Sequence, residues 1–289
     1  MSIVSLLKTD ADFGTDPKKA EDLVKRLLMA HGGSDFFFCP GEKAAFLVDA
    51  SLPADNESGA NFDIRLAWAL THIAIEQGMT DISICLKPEE GFTFRQIIKT
   101  TSYGKLAELP GVKLVSLAEA EATPRRTDTG LVLEQAEIYD VLNSADVVIS
   151  LAKFKTAEGR LFGGALANTV NAARITGDLD YQMKQRALID IYSTITPDLV
   201  IVDCIKGESV FQNNRISCVL AGSDGVALDT VLSAMSGVNM AGNEGLMLAT
   251  QYGLGISNPS DIAMCGDDMR EIMADEAPAP ASDKAKKLN

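Results

Sequence analysis

Two short runs of this sequence place ionisable groups where an α/β protein does its chemistry. In the first, the apolar segment 145–152 runs straight into Lys153, Lys155, Thr156 and Arg160, then into Gly163 and Gly164, which open a helical stretch containing Asn168. In parallel α/β sheets ligands settle beyond the carboxyl ends of strands, where the following helix presents unpaired N–H groups to anions. Three cations in that position make a local positive site for a phosphate, sulfate or carboxylate. The alternative is a solvated loop whose lysines keep an acidic protein soluble, since the segment is neither a Walker loop nor a dinucleotide fingerprint.

The second run is acidic. The apolar stretch 199–203 ends in Asp203 and is followed by Lys206, Gly207 and Glu208; the next strand leads to Asp224, and Asp229 lies inside the helix after it. Carboxylates at the ends of two strands can gather round a divalent metal or a substrate cation, or divide into an acid and a base. Equally, Asp224 can cap the helix behind it and Asp203 can satisfy loop amides. The spacing leaves both readings open.

These residues need elements to hold them. The chain alternates β-rich apolar runs with amphipathic stretches, the pattern of an α/β fold with a mixed, largely parallel sheet covered by helices. Strands are expected at 2–7, 44–48, 82–86, 112–117, 131–136, 147–151, 199–203, 218–221 and 262–264, with helices between them. Asp63 starts a helix to Gln77 whose Leu66, Trp68, Leu70, Ile73 and Ile75 are apolar round much of its circumference, so it should be largely buried. Residues 119–130, with Pro124, Arg125, Arg126, Asp128 and Gly130, read as a long loop or a lobe boundary. The expected organisation is two closely packed lobes, 1–144 and 145–272, the second carrying both chemical runs, and then a disordered tail over 273–289.

Composition narrows the partners. Among 289 residues, 26 Lys and Arg face 40 Asp and Glu, a formal charge of −14. That field repels phosphate backbones and anionic lipid, which argues against nucleic acid and the membrane as partners. No run reaches the roughly 20 apolar residues that cross a bilayer, and no basic-then-apolar leader opens the sequence, so a cytoplasmic protein is expected. Cys39, Cys85, Cys204, Cys218 and Cys265 are widely spread without a C-x-x-C pair, and only His31 and His72 accompany them. Neither an iron–sulfur cluster nor structural zinc is expected from such spacing. Cys85, Cys204 and Cys218 sit in apolar strand-like runs and read as buried, inert thiols.

Five motifs occur in order over 145–265: the strand Asp146 to Ser150, the loop Lys153 to Ala157, the helix start Gly164 to Asn168, the strand Ile201 to Asp203 with Gly207 and Glu208, and the turn Asp224 to Asp229. Together they resemble the domain of unknown function 362 family. The match extends more weakly to 2–7 and 44–55. In the family pattern a His stands at Ala157, a Lys at Ala167 and a Lys-x-Asn near Asp49 and Ser51, and many relatives carry cysteine-rich ferredoxin motifs that this chain lacks. The resemblance implies the same α/β fold and, through the family's associations, a link with anaerobic or iron–sulfur metabolism.

Two functions follow. In the first, the protein binds a small anionic metabolite or cofactor of unknown identity. Lys153, Thr156, Arg160, Gly163, Gly164 and Asn168 surround it; Lys155 acts as an electrophile, and Asp203, Glu208, Asp224 and Asp229 serve as the acid, base or metal groups of any reaction. In the second, the loss of His and Lys at Ala157 and Ala167 marks a non-catalytic homologue, a scaffold or the partner subunit of a complete paralogue; self-association into a homo-oligomer is compatible with either.

Overall fold

A computed structural model describes residues 1–9, 17–157, 160–205, 217–238 and 243–275. Its strands are β1 (Ser2–Lys8), β2 (Lys43–Val48), β3 (Asp81–Leu86), β4 (Val112–Ser116), β5 (Ala122–Arg126), β6 (Gln135–Tyr139), β7 (Val147–Lys153), β8 (Lys155–Ala157), β9 (Arg160–Gly163), β10 (Ala173–Arg174), β11 (Leu199–Asp203), β12 (Cys218–Gly222) and β13 (Ile262–Gly266). Its helices are α1 (Pro17–Met29), α2 (Ser34–Phe37), α3 (Ile64–Glu76), α4 (Phe94–Thr100), α5 (Asp140–Asn143), α6 (Ala165–Thr169), α7 (Tyr181–Thr194), α8 (Gly225–Ser236), α9 (Glu244–Gln251) and α10 (Met269–Asp275).

The fold is α/β, as the alternating pattern requires. Eight strands form one sheet in the order β13-β1-β12-β11-β7-β2-β3-β4. Seven run in the same direction, and only β12 opposes its neighbours β1 and β11. Burial on both faces explains why β7 and β11 are apolar almost throughout. Alternate residues divide between the faces: Phe46, Val48, Ile149 and Leu151 pack with α1 and α3, whereas Ala45, Leu47 and Val148 pack against β6 and α7. Helix α3 is buried at Leu66, Ala67, Ala69, Leu70, Thr71, Ile73 and Ala74. Trp68 and Ile75 are partly buried against the same core. Among the described residues no helix is long and apolar enough to cross a membrane.

The stretch expected to be a long loop holds a strand instead. β5 is the edge of a small sheet ordered β10-β6-β5, a position that tolerates Pro124 because an edge residue can do without its ladder N–H. The strand expected at 131–136 begins only at Gln135. Physically, the amides of Leu131, Val132 and Leu133 are taken by the carboxylate of Asp190 on α7, which also accepts from the Thr129 hydroxyl. Asp190 is fully buried. Asp190→Ala leaves these donors without their acceptor and should lower stability by about 2 kcal/mol, with hydrogen exchange rising first at residues 129–133. Unchanged protection there would show that water replaces the carboxylate without cost. Of the expected tail, residues 276–289 lie outside those described, and α10 continues to Asp275.

Candidate functional site

From β2 the chain steps outward to β3, and from β7 it steps the other way to β11, so the strand order reverses between β2 and β7. At such a point the connections diverge and open a crevice beyond the carboxyl ends of the strands. The residues that follow there are polar in a way the strands are not. Register places Asp203 opposite Lys153 across β11 and β7, and the Lys153 Nζ donates to Asp203 Oδ2 at 2.9 Å and to the carbonyl of Ile205. Both side chains are almost completely buried, 1% and 0% exposed.

Asp203 does more than pair. Its Oδ2 also accepts from the Asp63 amide at 2.8 Å, at the start of α3, and its Oδ1 accepts from the Ile205 amide at 2.7 Å. Burial pushes its carboxyl pKa up, while the Lys153 ammonium and the Ile205 amide oppose that rise. Asp63 in turn caps α3 through the Arg65 amide and holds the Arg65 guanidinium in a fork, closing to 2.6 Å. Beside them the Tyr103 hydroxyl donates to the carbonyl of Phe62. Burial, then the nearby carboxylates of Asp63, Asp203 and Asp49, raise Tyr103 well above the usual phenol range. The phenol therefore stays protonated.

Lys155 lies nearer the surface. Its Nζ is 3.0 Å from each carboxylate oxygen of Asp49, just past β2, and the pair is 26% and 13% exposed. At this reversal of strand order, Asp49, Asp63 and Asp203 thus balance Lys153, Lys155 and Arg65. One strand further along, Lys87 follows β3 and donates to the Ala173 carbonyl, with its ammonium 5.8 Å from the centroid of the Tyr139 ring. Burial lowers its pKa to about 8. An amine at that value is partly neutral near physiological pH, and so can accept a proton as well as carry charge.

Several expected ligands instead serve α6 on the opposite face. The Asp229 carboxylate, on α8, accepts from the Ala165 and Leu166 amides at 2.7 and 3.0 Å. An internal carboxyl group therefore occupies the first amides of this short helix. Burial raises the Asp229 pKa to about 7 against the pull of those amides. Asn168 spans two strands, its Nδ2 donating to the Leu47 carbonyl and the Ser150 hydroxyl, while its Oδ1 accepts from Asn171. Gly163 permits close packing of β9 on β7: a Cβ there would lie 2.6 Å from the Lys153 carbonyl. Gly164 is the N-cap of α6, Thr156 is buried, and Arg160 lies in β9 opposite Ala157. Glu208 lies outside the described residues.

Asp224 is at the other end of the sheet. Because β12 runs against its neighbours, its carboxyl end meets the start of β1, where Asp224 accepts from the Ser2 hydroxyl and the Ile256 amide and caps α8 through Val226 and Ala227. The structure thus gathers Lys153, Lys155 and Asp203, and separates them from Asp224 and Asp229. Sequence reasoning missed Asp49, Arg65, Tyr103 and Lys87 as site residues. Asp49 and Lys87 were findable, since each directly follows an apolar strand as Asp203 nearly does; Arg65 and Tyr103 carry no such mark. Among the described residues no group of three or more His, Cys, Asp or Glu is placed to hold a metal ion.

No curated protein matches the chain. A solved structure, the lactate racemase apoprotein from Thermoanaerobacterium thermosaccharolyticum, is similar at 14% identity with a TM-score of 0.46, over 77% of this chain and 54% of that one. The chain thus spans about half the length of that protein. A family described as a domain of unknown function (DUF362) matches residues 48–234. That match begins at the last residue of β2, takes in the whole Lys153–Asp203 and Lys155–Asp49 cluster, and ends within α8, so the chain belongs to the DUF362 family.

Proposed function

We propose that the protein binds a small anionic metabolite in the crevice between β2 and β7, with Lys155 as the cation that meets it. The observation that carries this reading is the position of the Lys155–Asp49 pair at the reversal of strand order, partly exposed above a buried and internally neutralised Lys153–Asp203 pair. Lys153 is committed to the protein. Among the described residues Lys155 has only Asp49 to leave, and an incoming carboxylate or phosphate offers the same charge-assisted contacts.

The test uses both members of the pair. Titration with phosphate and small carboxylates into the millimolar range, followed by amide chemical shifts, should show saturable binding. Lys155→Ala should weaken it by about 1.5–3 kcal/mol, whereas Asp49→Asn should strengthen it by removing the internal competitor. Both substitutions break the same ion pair, so opposite signs identify a ligand contact, and equal signs or no saturation refute it.

A second reading has its own support. The first amides of α6 are filled by Asp229 and every lysine of the cluster has a carboxylate partner, which suits a non-catalytic scaffold or the partner subunit of a complete paralogue. Absence of anion binding together with a stoichiometric complex with such a paralogue would favour it.

A further inference from the structure

Cys204 and Cys218 stand 14 positions apart in sequence but face each other in space. The β11–β12 register, ending at Asp203 opposite Val219, continues by one residue to bring Cys204 opposite Cys218, and the Cys204 amide donates to the Cys218 carbonyl at 3.0 Å. Residues directly opposite in an antiparallel pair send their side chains to the same face, and a hydrogen-bonded pair sets the Cα atoms about 5.5 Å apart. That spacing is close to the commonest one for a disulfide, about 5.5–6 Å. Both side chains join one hydrophobic cluster with Ala152, Phe154, Val202 and Leu220. Both are free thiols in the structure and essentially unexposed.

We propose that Cys204 and Cys218 form a reversible cross-strand dithiol–disulfide pair, oxidised by a small hydroperoxide. In the first step one thiol attacks the peroxide oxygen and becomes a sulfenic acid, releasing water (or an alcohol from an organic peroxide). In the second, the facing thiol attacks that sulfur, the S–S bond forms and a second water leaves. The two thiols lose two electrons and two protons, and the peroxide is reduced by the same two electrons. Having the second thiol already opposite the first lets the sulfenic acid be captured before it proceeds to a sulfinic acid.

Burial, and next the adjoining Cys218 thiol, hold the Cys204 thiol well above the usual thiol range. The reaction therefore starts slowly, on strand opening, and is selective by position rather than by acidity. The bond would fasten β11 to β12 one residue beyond Asp203, the acceptor that Lys153, Asp63 and Ile205 share. The proposal does not depend on the anion-binding reading.

The experiment treats the 289-residue chain carrying Cys39→Ser and Cys265→Ser, which removes its half-buried and exposed thiols, with hydrogen peroxide under native conditions. Products are mapped by non-reducing proteolysis and mass spectrometry after alkylation in denaturant. The expected product is a single intramolecular Cys204–Cys218 linkage, lighter by two hydrogens, fully reversed by dithiothreitol and absent from Cys218→Ser. Retention of both thiols in alkylatable form, or conversion of either to sulfinic acid without a linkage, would overturn the proposal. The mapping on the background with both thiols present decides the matter even if Cys218→Ser folds poorly.

Discussion

Replacement of Asp203 by Ala should lower the unfolding free energy by about 3–5 kcal/mol, the range seen when one partner of a buried ion pair is removed. The loss is large because the Lys153 ammonium would remain almost wholly buried without a counter-charge, and the Asp63 and Ile205 amides would lose an acceptor at the same moment. Urea unfolding with an unchanged m-value and a lower midpoint is the expected signature. The double variant Lys153→Met with Asp203→Leu should recover part of the loss by removing both charges. It cannot recover all of it, because the two amides stay unpaired. A single variant within about 1 kcal/mol of the parent would mean that Lys153 reaches water, at odds with an enclosed pair.

Asp229 gives the second large effect, through pH. Its carboxyl rises from the usual 3.8 to about 7 in the folded protein, so below about pH 4 both folded and unfolded states hold the proton and the group contributes no difference. Between about pH 4 and pH 7 the unfolded chain releases the proton first, and the folded state loses stability as pH rises. Above about pH 7 both states are ionised and the loss is complete, at about 4 kcal/mol for a shift of this size. About 3 kcal/mol of it should fall between pH 5 and pH 8. Asp229→Asn removes the titration, so the difference in unfolding free energy between parent and variant should change by that amount over the interval, the parent declining more steeply. Parallel pH profiles would show that the Ala165 and Leu166 amides keep the carboxylate ionised throughout.

The parts of this site that were legible in the sequence are those set by local pattern. Asp63 reads as the start of a helix and caps one; β11 reads as an apolar strand ending in Asp203 and is one, whereas β7, expected over 147–151, runs two residues further and takes in Lys153, which had read as a loop residue. What pattern does not contain is strand order and direction. Lys153 and Asp203 are 50 residues apart, and only the adjacency of β7 and β11 converts a solvent-seeking lysine into a buried ion pair. Asp224 satisfies the same strand-end rule as Asp203, yet the reversed direction of β12 carries it to the opposite end of the sheet. Nothing in the Cys218–Gly222 apolar run marks which way it will point. The same gap concealed the facing thiols, because a separation of 14 residues becomes a contact only through the pairing of β11 with β12. The cap of α6 was illegible for a related reason. Its donor residues follow β7 and its acceptor comes from α8, so the helix looks open to an anion until the neighbouring helix is in place.

The pairing of β1 also bears on how the chain reaches this state. β1 is apolar at Val4, Leu6 and Leu7 and lies between β12 and β13, with Lys8 opposite Cys218 and Ser2 opposite Ile262. Both partners are made more than two hundred residues after it. At a synthesis rate of about 5–20 residues per second, the segment waits on the order of ten seconds or more before either neighbour exists. Throughout that interval it is an unpaired apolar strand, the kind of segment that adds to other sheets. Completion of the sheet is thus a late, long-range closure whose entropic cost is met only when the far end of the chain arrives. Folding thus has to insert β1 between two strands made more than two hundred residues after it.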